Sequence, residues 1–132
     1  MIELALLITA LMFGGTVLYA FGFAAFVFTA LPADTAGPLI RRAFPHFYLF
    51  VIGTSAVAAG VVAFFDPVSA GILAGIAATG IYARQSLMPA INRATDEGDK
   101  SRFKTLHGFS VVITLAHIVA AGVVIVIVAG QV

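Results

Sequence analysis

Three histidines, His46, His107 and His117, are the side chains of this chain best suited to holding a metal or moving a proton. Two of them belong to a longer pattern, because His107, Ser110, Thr114 and His117 fall at i, i+3, i+7 and i+10. At roughly 100° per residue these four cover an arc of about 80°, one polar seam along a helix. An imidazole facing lipid would go without a hydrogen-bond partner, so the seam is expected to face other helices. Its plainest use is interhelical hydrogen bonding to Thr9, Thr16, Tyr19 or Thr79, each bond worth roughly 1 kcal/mol or less. Its sharper use is a solute path or ligand site, since ionisable groups inside membrane spans are costly and commonly functional.

The remaining inventory narrows the chemistry. With no cysteine, disulfides, thiolate metal sites and thiol catalysis are excluded. Glu3, Asp34, Asp66, Asp96, Glu97 and Asp99 all lie near the ends of apolar stretches or between them. The chain therefore lacks the mid-membrane carboxylate that proton- and sodium-coupled carriers use. His46 and His107 are expected near the same membrane face, and imidazole suits Zn, Cu or Fe. Two histidines are an incomplete ligand set, however, so no metal, haem or other cofactor is expected. No nucleophile–base pair or acidic dyad can be read, and the chain is not expected to be an enzyme.

Four apolar stretches carry these residues. Hydrophobic residues make up 61% of the chain and charged residues 10%, against roughly 45–50% and 25% in an ordinary soluble domain. That composition makes lipid the solvent of the outer face. Uncharged runs cover 4–33, 43–65, 67–83 and 105–132, and a spanning helix needs roughly 20 apolar residues. The third run is short unless Arg84 ends it with its stem in hydrocarbon and its guanidinium at the head groups. The pattern predicts helices at about 4–30, 46–65, 69–89 and 106–129 in a single membrane domain, 1–132. The fold class is all-α: an integral membrane, antiparallel four-helix bundle. Segment 65–69 reads as a tight turn in which Pro67 stops helix two and Ser69 caps helix three. Segments 31–45 and 90–105 read as loops.

Charge orients the bundle. All seven Lys and Arg residues lie in or beside the two gaps on one side, and none lies at the termini or at the Asp66 turn. This places both basic loops in the cytoplasm of a bacterium and both termini outside its inner membrane. The start Met1-Ile2-Glu3-Leu4 lacks a basic segment, and the first apolar run exceeds the roughly 7–15 residues of a signal peptide core. Helix one is thus expected to be a retained span. A net charge of +1 gives no reason to expect a nucleic-acid partner.

Helices in lipid associate through close backbone approach at small residues. Candidates are Gly71 and Gly75 on helix three, Ala56 and Gly60 on helix two, and Gly14 and Gly15 on helix one. Such surfaces also suit a homo-oligomer or a place in a larger membrane complex, with the lipid bilayer as the constant partner.

The second and fourth helices begin alike, with Arg41-Arg42-Ala43-Phe44-Pro45-His46-Phe47 and Lys104-Thr105-Leu106-His107-Gly108-Phe109. The likeness is compatible with a duplicated helical hairpin, which would set His46 and His107 at one depth, close to Arg84 and Asn92. The run 87–96, Leu-Met-Pro-Ala-Ile-Asn-Arg-Ala-Thr-Asp, and the run 103–110, Phe-Lys-Thr-Leu-His-Gly-Phe-Ser, together resemble the signature of the transmembrane protein 205-like family. Gly14-Gly15 and the 37–48 segment fit the same resemblance, which covers nearly the whole chain. It implies a four-helix membrane protein of unknown activity and marks Pro89, Asn92, Phe103, Leu106, His107 and Ser110. Within that span it departs at His46 and His117, where relatives are expected to carry other residues.

Two functional classes follow. One is a structural or accessory membrane component, alone as an oligomer or beside a larger complex. The other is a transporter or channel subunit for a small solute along the helix-four seam, with histidine-based metal or haem binding behind both. His107 is expected to be buried, joined to Asn92 or to a carbonyl of the Pro89 turn.

Overall fold

A computed structural model describes residues 1–132, and four helices hold almost all of them. They are α1 (Ile2–Ala30), α2 (Ala33–Val62), α3 (67–96) and α4 (Lys100–Ala129). By length and composition α1, α2 and α4 are each apolar enough to cross a membrane. Sequence neighbours pack side by side, α3 lies against both α2 and α4, and α4 closes back on α1. The molecule is an all-α bundle with a basic end, where the 31–32 and 97–99 turns lie, and a terminal end.

The segments expected to be loops are helical. α2 begins at Ala33 rather than near 46, α3 continues to Asp96 rather than 89, and α4 begins at Lys100 rather than 106. Pro38 and Pro45 both lie inside α2. Each proline removes one bond of the helical ladder, but Ala36, Phe47 and Tyr48 are buried on the same helix and hold it to its neighbours. The 97–99 turn is tight because Gly98 takes the left-handed conformation (φ +67°) and ends α3. Asp99 then caps α4 by accepting from the Arg102 N–H at 3.1 Å.

At the terminal end the cap is Asp66, not Ser69. Its carboxylate accepts from the backbone N–H groups of Val68 and Ser69, both at 3.2 Å, and from the Ser69 hydroxyl at 2.9 Å. Pro67 opens α3 instead of stopping α2, since its missing N–H is one the first turn leaves unpaired anyway. The Gln131 side chain also donates to Asp66, at 3.0 Å, tying the last residues to this turn. The backbone and hydroxyl of Ser69 hold the Asp66 carboxyl below the usual carboxylate range. A depressed folded value contributes stability that is full above the unfolded value, roughly 3.9, and is lost as pH falls through the folded one. Melts in detergent should therefore weaken as pH drops below about 4. Asp66→Asn should melt lower at neutral pH and show a smaller acid loss. Equal acid sensitivity in the two proteins would refute this role.

Three helices depart from regularity at one level. α1 widens into a π-helical segment at Leu18–Phe23, α3 does so at Ala83–Leu87, and α2 carries Pro45 between them. The Tyr19 hydroxyl donates to the Ala43 carbonyl at 3.0 Å, and Arg84 Nε donates to the Pro45 carbonyl at 3.2 Å. Arg84 thus reaches across to α2 as well as ending the apolar part of α3. The widened turn in α3 directly precedes Met88-Pro89, where it accommodates the proline.

On the terminal side of this level the core is closed, with Met12, Val51, Leu73 and Val124 buried. Of the expected close approaches only the one at Gly15 is present. Gly71 and Gly75 face outward, and a side chain added at either, or at Gly14, would meet nothing within 4 Å. The tight contacts are Gly15 against the Phe50 ring and Gly80 against Ile52. The outward glycines are a consequence of where α3 turns its larger side chains, because Leu73 and Ile76 take the inner positions.

Candidate functional site

On the basic side of the irregular level the bundle divides into two hairpins. The second half of α1 keeps to α2, and the end of α3 keeps to the start of α4. Between the hairpins lies a cavity of about 850 Å³. Its near wall includes Ala20, Phe21 and Ala24 of α1, with Phe44 and Tyr48 of α2. Its far wall includes Met88 and Asn92 of α3, with His107, Ser110 and Thr114 of α4. Phe21 and Phe28 of α1 and Phe103 of α4 line the cavity and are exposed, from which its open side is inferred to lie between these two helices. One ion pair bridges the opposite side: Arg41 of α2 donates to both carboxylate oxygens of Asp96 on α3, at 2.6 and 3.0 Å. Those bonds hold the Asp96 carboxyl below the usual carboxylate range.

Below the cavity an aromatic group closes the space. Tyr19 stacks on Phe47 with ring centres 5.2 Å apart and a 20° tilt, and Phe44 and Tyr48 pack on Phe47 at 5.3 and 5.2 Å. The α4 seam runs down the far wall into this region. His117, at its deep end, is buried, and its Nε2 lies 2.6 Å from the Thr79 hydroxyl oxygen. That hydroxyl donates to the Gly75 carbonyl at 2.8 Å, so Nε2 is assigned the proton and donates to Oγ1. Of the other expected partners, Thr9 and Thr16 donate to carbonyls of their own helix, and Tyr19 donates to the Ala43 carbonyl.

His107 is not the buried clasp the sequence suggested. It is exposed, stacks on Phe103 one turn earlier (5.4 Å between ring centres, 7° between planes) and makes no bond to Asn92 or to the Pro89 turn. The reason is facing: α4 turns Phe103 and His107 to the cavity rim, whereas Pro89 is exposed and off the lining. The structure brings His107, Asn92, Ser110 and Thr114 to one cavity and leaves His46, Arg84 and Pro89 off its lining. The two similar helix starts also end in different surroundings, with Phe47 buried and Phe109 exposed. No three His, Asp or Glu side chains converge as metal ligands would.

Sequence reading missed Arg41, Asp96 and Tyr48 as parts of the site. The signal for the first two was opposite charge at the same end of two helices. For Tyr48 it was the position one helical turn beyond Phe44.

Four packed helices, three of them long and apolar enough to cross a membrane, fit a multi-pass membrane protein. The chain belongs to the family described as a domain of unknown function (DUF4149), whose model matches residues 7–100. The matched stretch takes in most of α1, all of α2 and α3, and stops where α4 begins. No curated protein and no solved structure matches the chain.

Proposed function

We propose that the protein is a small component of the bacterial inner membrane that holds a lipophilic molecule in its lateral cavity without transforming it. In this reading all four helices cross the bilayer, the basic end faces the cytoplasm and both termini face outside. The placement of all seven Lys and Arg residues toward one end supports that orientation. The resemblance to the transmembrane protein 205-like family supports the four-span count.

The cavity carries the reading. Its volume of about 850 Å³ falls within the range of small-molecule sites, and apolar walls with a few polar groups are their usual lining. Its mouth between α1 and α4 lies on a face that would meet lipid, so an apolar guest can enter sideways. A through-path for a small solute is less well supported. Beyond Thr114 the His117–Thr79 bond and the buried Val124 and Val128 close the bundle.

Full-length protein in nanodiscs is expected to be labelled by a diazirine-bearing long-chain alcohol chiefly on 20–28 and 103–114. Ala24→Trp, which fills the mouth, should remove that labelling while the helical circular dichroism is kept. Labelling spread evenly over the outer faces, and indifferent to Ala24→Trp, would sink the reading.

An accessory or oligomeric component is the second reading. The outward-facing Gly71 and Gly75 favour it, because a glycine on an open helix face permits another helix to approach closely.

A further inference from the structure

Tyr48 and Thr114 stand apart from the other buried polar side chains. Thr9, Thr16 and Ser55 give their hydroxyl protons to carbonyls one turn back, Ser69 gives its own to Asp66, and His117 is bonded to Thr79. Tyr48 and Thr114 are only 4% and 8% exposed, and neither makes a side-chain hydrogen bond. Both line the cavity, one from α2 and one from α4. No side-chain oxygen or nitrogen is at once fully enclosed and unpartnered, so the two hydroxyls open onto the cavity space.

Thr114 is the more informative of the two. A threonine inside a helix ordinarily turns its hydroxyl back onto a carbonyl of the preceding turn, as Thr9, Thr16, Thr54 and Thr79 do. Thr114 forgoes that bond. A hydroxyl held unpaired in apolar surroundings is costly, and two such groups facing one cavity mark the place of a hydrogen-bonding guest.

We infer that the floor of the cavity binds an uncharged lipophile bearing carbonyl groups, with the Tyr48 and Thr114 hydroxyls donating to its carbonyl oxygens. The inference rests on the reading that the cavity holds a lipophile and names the class. Charge argues against an anionic head group as the occupant. Arg41, the only Lys, Arg, Asp or Glu on the lining, is already engaged by both oxygens of Asp96. Depth argues the same way. Tyr48 lies seven residues beyond Arg41 on α2, and Thr114 seven beyond His107 on α4, about 10 Å further in at 1.5 Å per residue. A phosphate would stay at the rim, whereas a ketone or ester carbonyl accepts hydrogen bonds and tolerates Phe44, Met88 and Val111 around it. Isoprenoid quinones and glycerolipid esters both present paired carbonyls on apolar bodies.

The test uses the full chain in nanodiscs with two carbon-13 carbonyl-labelled probes, a decyl-tailed benzoquinone and dioctanoylglycerol. The carbonyl infrared band of at least one is expected to move to lower frequency on binding, and the probe that shifts identifies the source. Tyr48→Phe and Thr114→Val should each weaken binding about five- to tenfold, as expected for one lost hydrogen bond, and each should reduce the shift. Since neither hydroxyl has a partner within the protein, both variants should melt at or above the wild-type temperature without probe. Lower melting in both would mean internal partners and would overturn the inference. Probe binding with an unshifted band and unchanged variants would overturn it while leaving the cavity reading intact. Failure of every lipophile to bind, the diazirine alcohol included, would remove both.

Discussion

Phe47→Ala is expected to lower stability by about 2–3 kcal/mol in reversible unfolding in mixed detergent. Phe47 is 2% exposed and lies under Tyr19, Phe44 and Tyr48, so it joins α1 to α2 at the cavity floor. In lipid the transfer part of a core substitution is small, because the reference solvent is itself apolar. The loss of packing remains: removing on the order of 100 Å³ at roughly 24 cal/mol per Å³ gives about 2 kcal/mol. The displaced aromatic contacts add to it. Phe47→Leu, which keeps most of the volume, should cost less than about 1.5 kcal/mol. If the alanine variant loses less than half its expected amount, the aromatic stack does not hold the two helices together.

Gly15→Leu should lower stability by about 2 kcal/mol or more, while Gly75→Leu should stay within about 0.5 kcal/mol of the wild type. A Cβ at Gly15 would lie 2.5 Å from Phe50 Cζ and 2.6 Å from Cε1, so the half-buried ring must leave its place on α1. A Cβ at Gly75 would meet nothing within 4 Å. Melting curves of the two variants side by side decide the matter, and a larger loss at Gly75 would reverse the assignment of the packed face. Gly75→Leu also bears on the oligomeric reading, which expects weaker self-association in cross-linking with no change in the protomer's melt.

How much of this was legible depended on what each residue reports. The four apolar runs reported four helices, since spanning length and missing charge are properties of a run and survive local irregularity. The α4 seam was legible to its deep end, where His117 does face Thr79, because a polar group in lipid has few places to go. Helix ends were less legible. The charges at Asp34, Arg41 and Arg42 marked 31–45 as a gap between apolar runs, yet α2 runs through it, with Phe47 and Tyr48 packed inside. Gly98-Asp99 held the true turn signal, a left-handed stop followed by a cap, but the basic residues around it suggested a wider loop. Small residues were the weakest guide. Glycine spacing shows where helices are able to approach, and the larger side chains at Leu73 and Ile76 decided which face of α3 turned inward. The cavity itself was invisible in sequence, for it arises from the divergence of two hairpins and not from any one of them.

The widened turns in α1 and α3 also have a genetic meaning. A π-helical turn is equivalent to one residue inserted into an α-helix, and each residue contributes about 100° of rotation at 3.6 residues per turn. Deleting a single codon within 18–23 would let α1 close into a regular helix with Ala24 and Phe28 on nearly the faces they hold now, because the wide turn already absorbs the extra residue. The closed half of the bundle and the mouth would both keep their lining. The same holds for 83–87 and the far wall. Single-residue deletions at these two places should therefore leave the cavity lining in place, whereas the same deletion in a regular turn of α1 or α3 would rotate the far half by about 100° and change it.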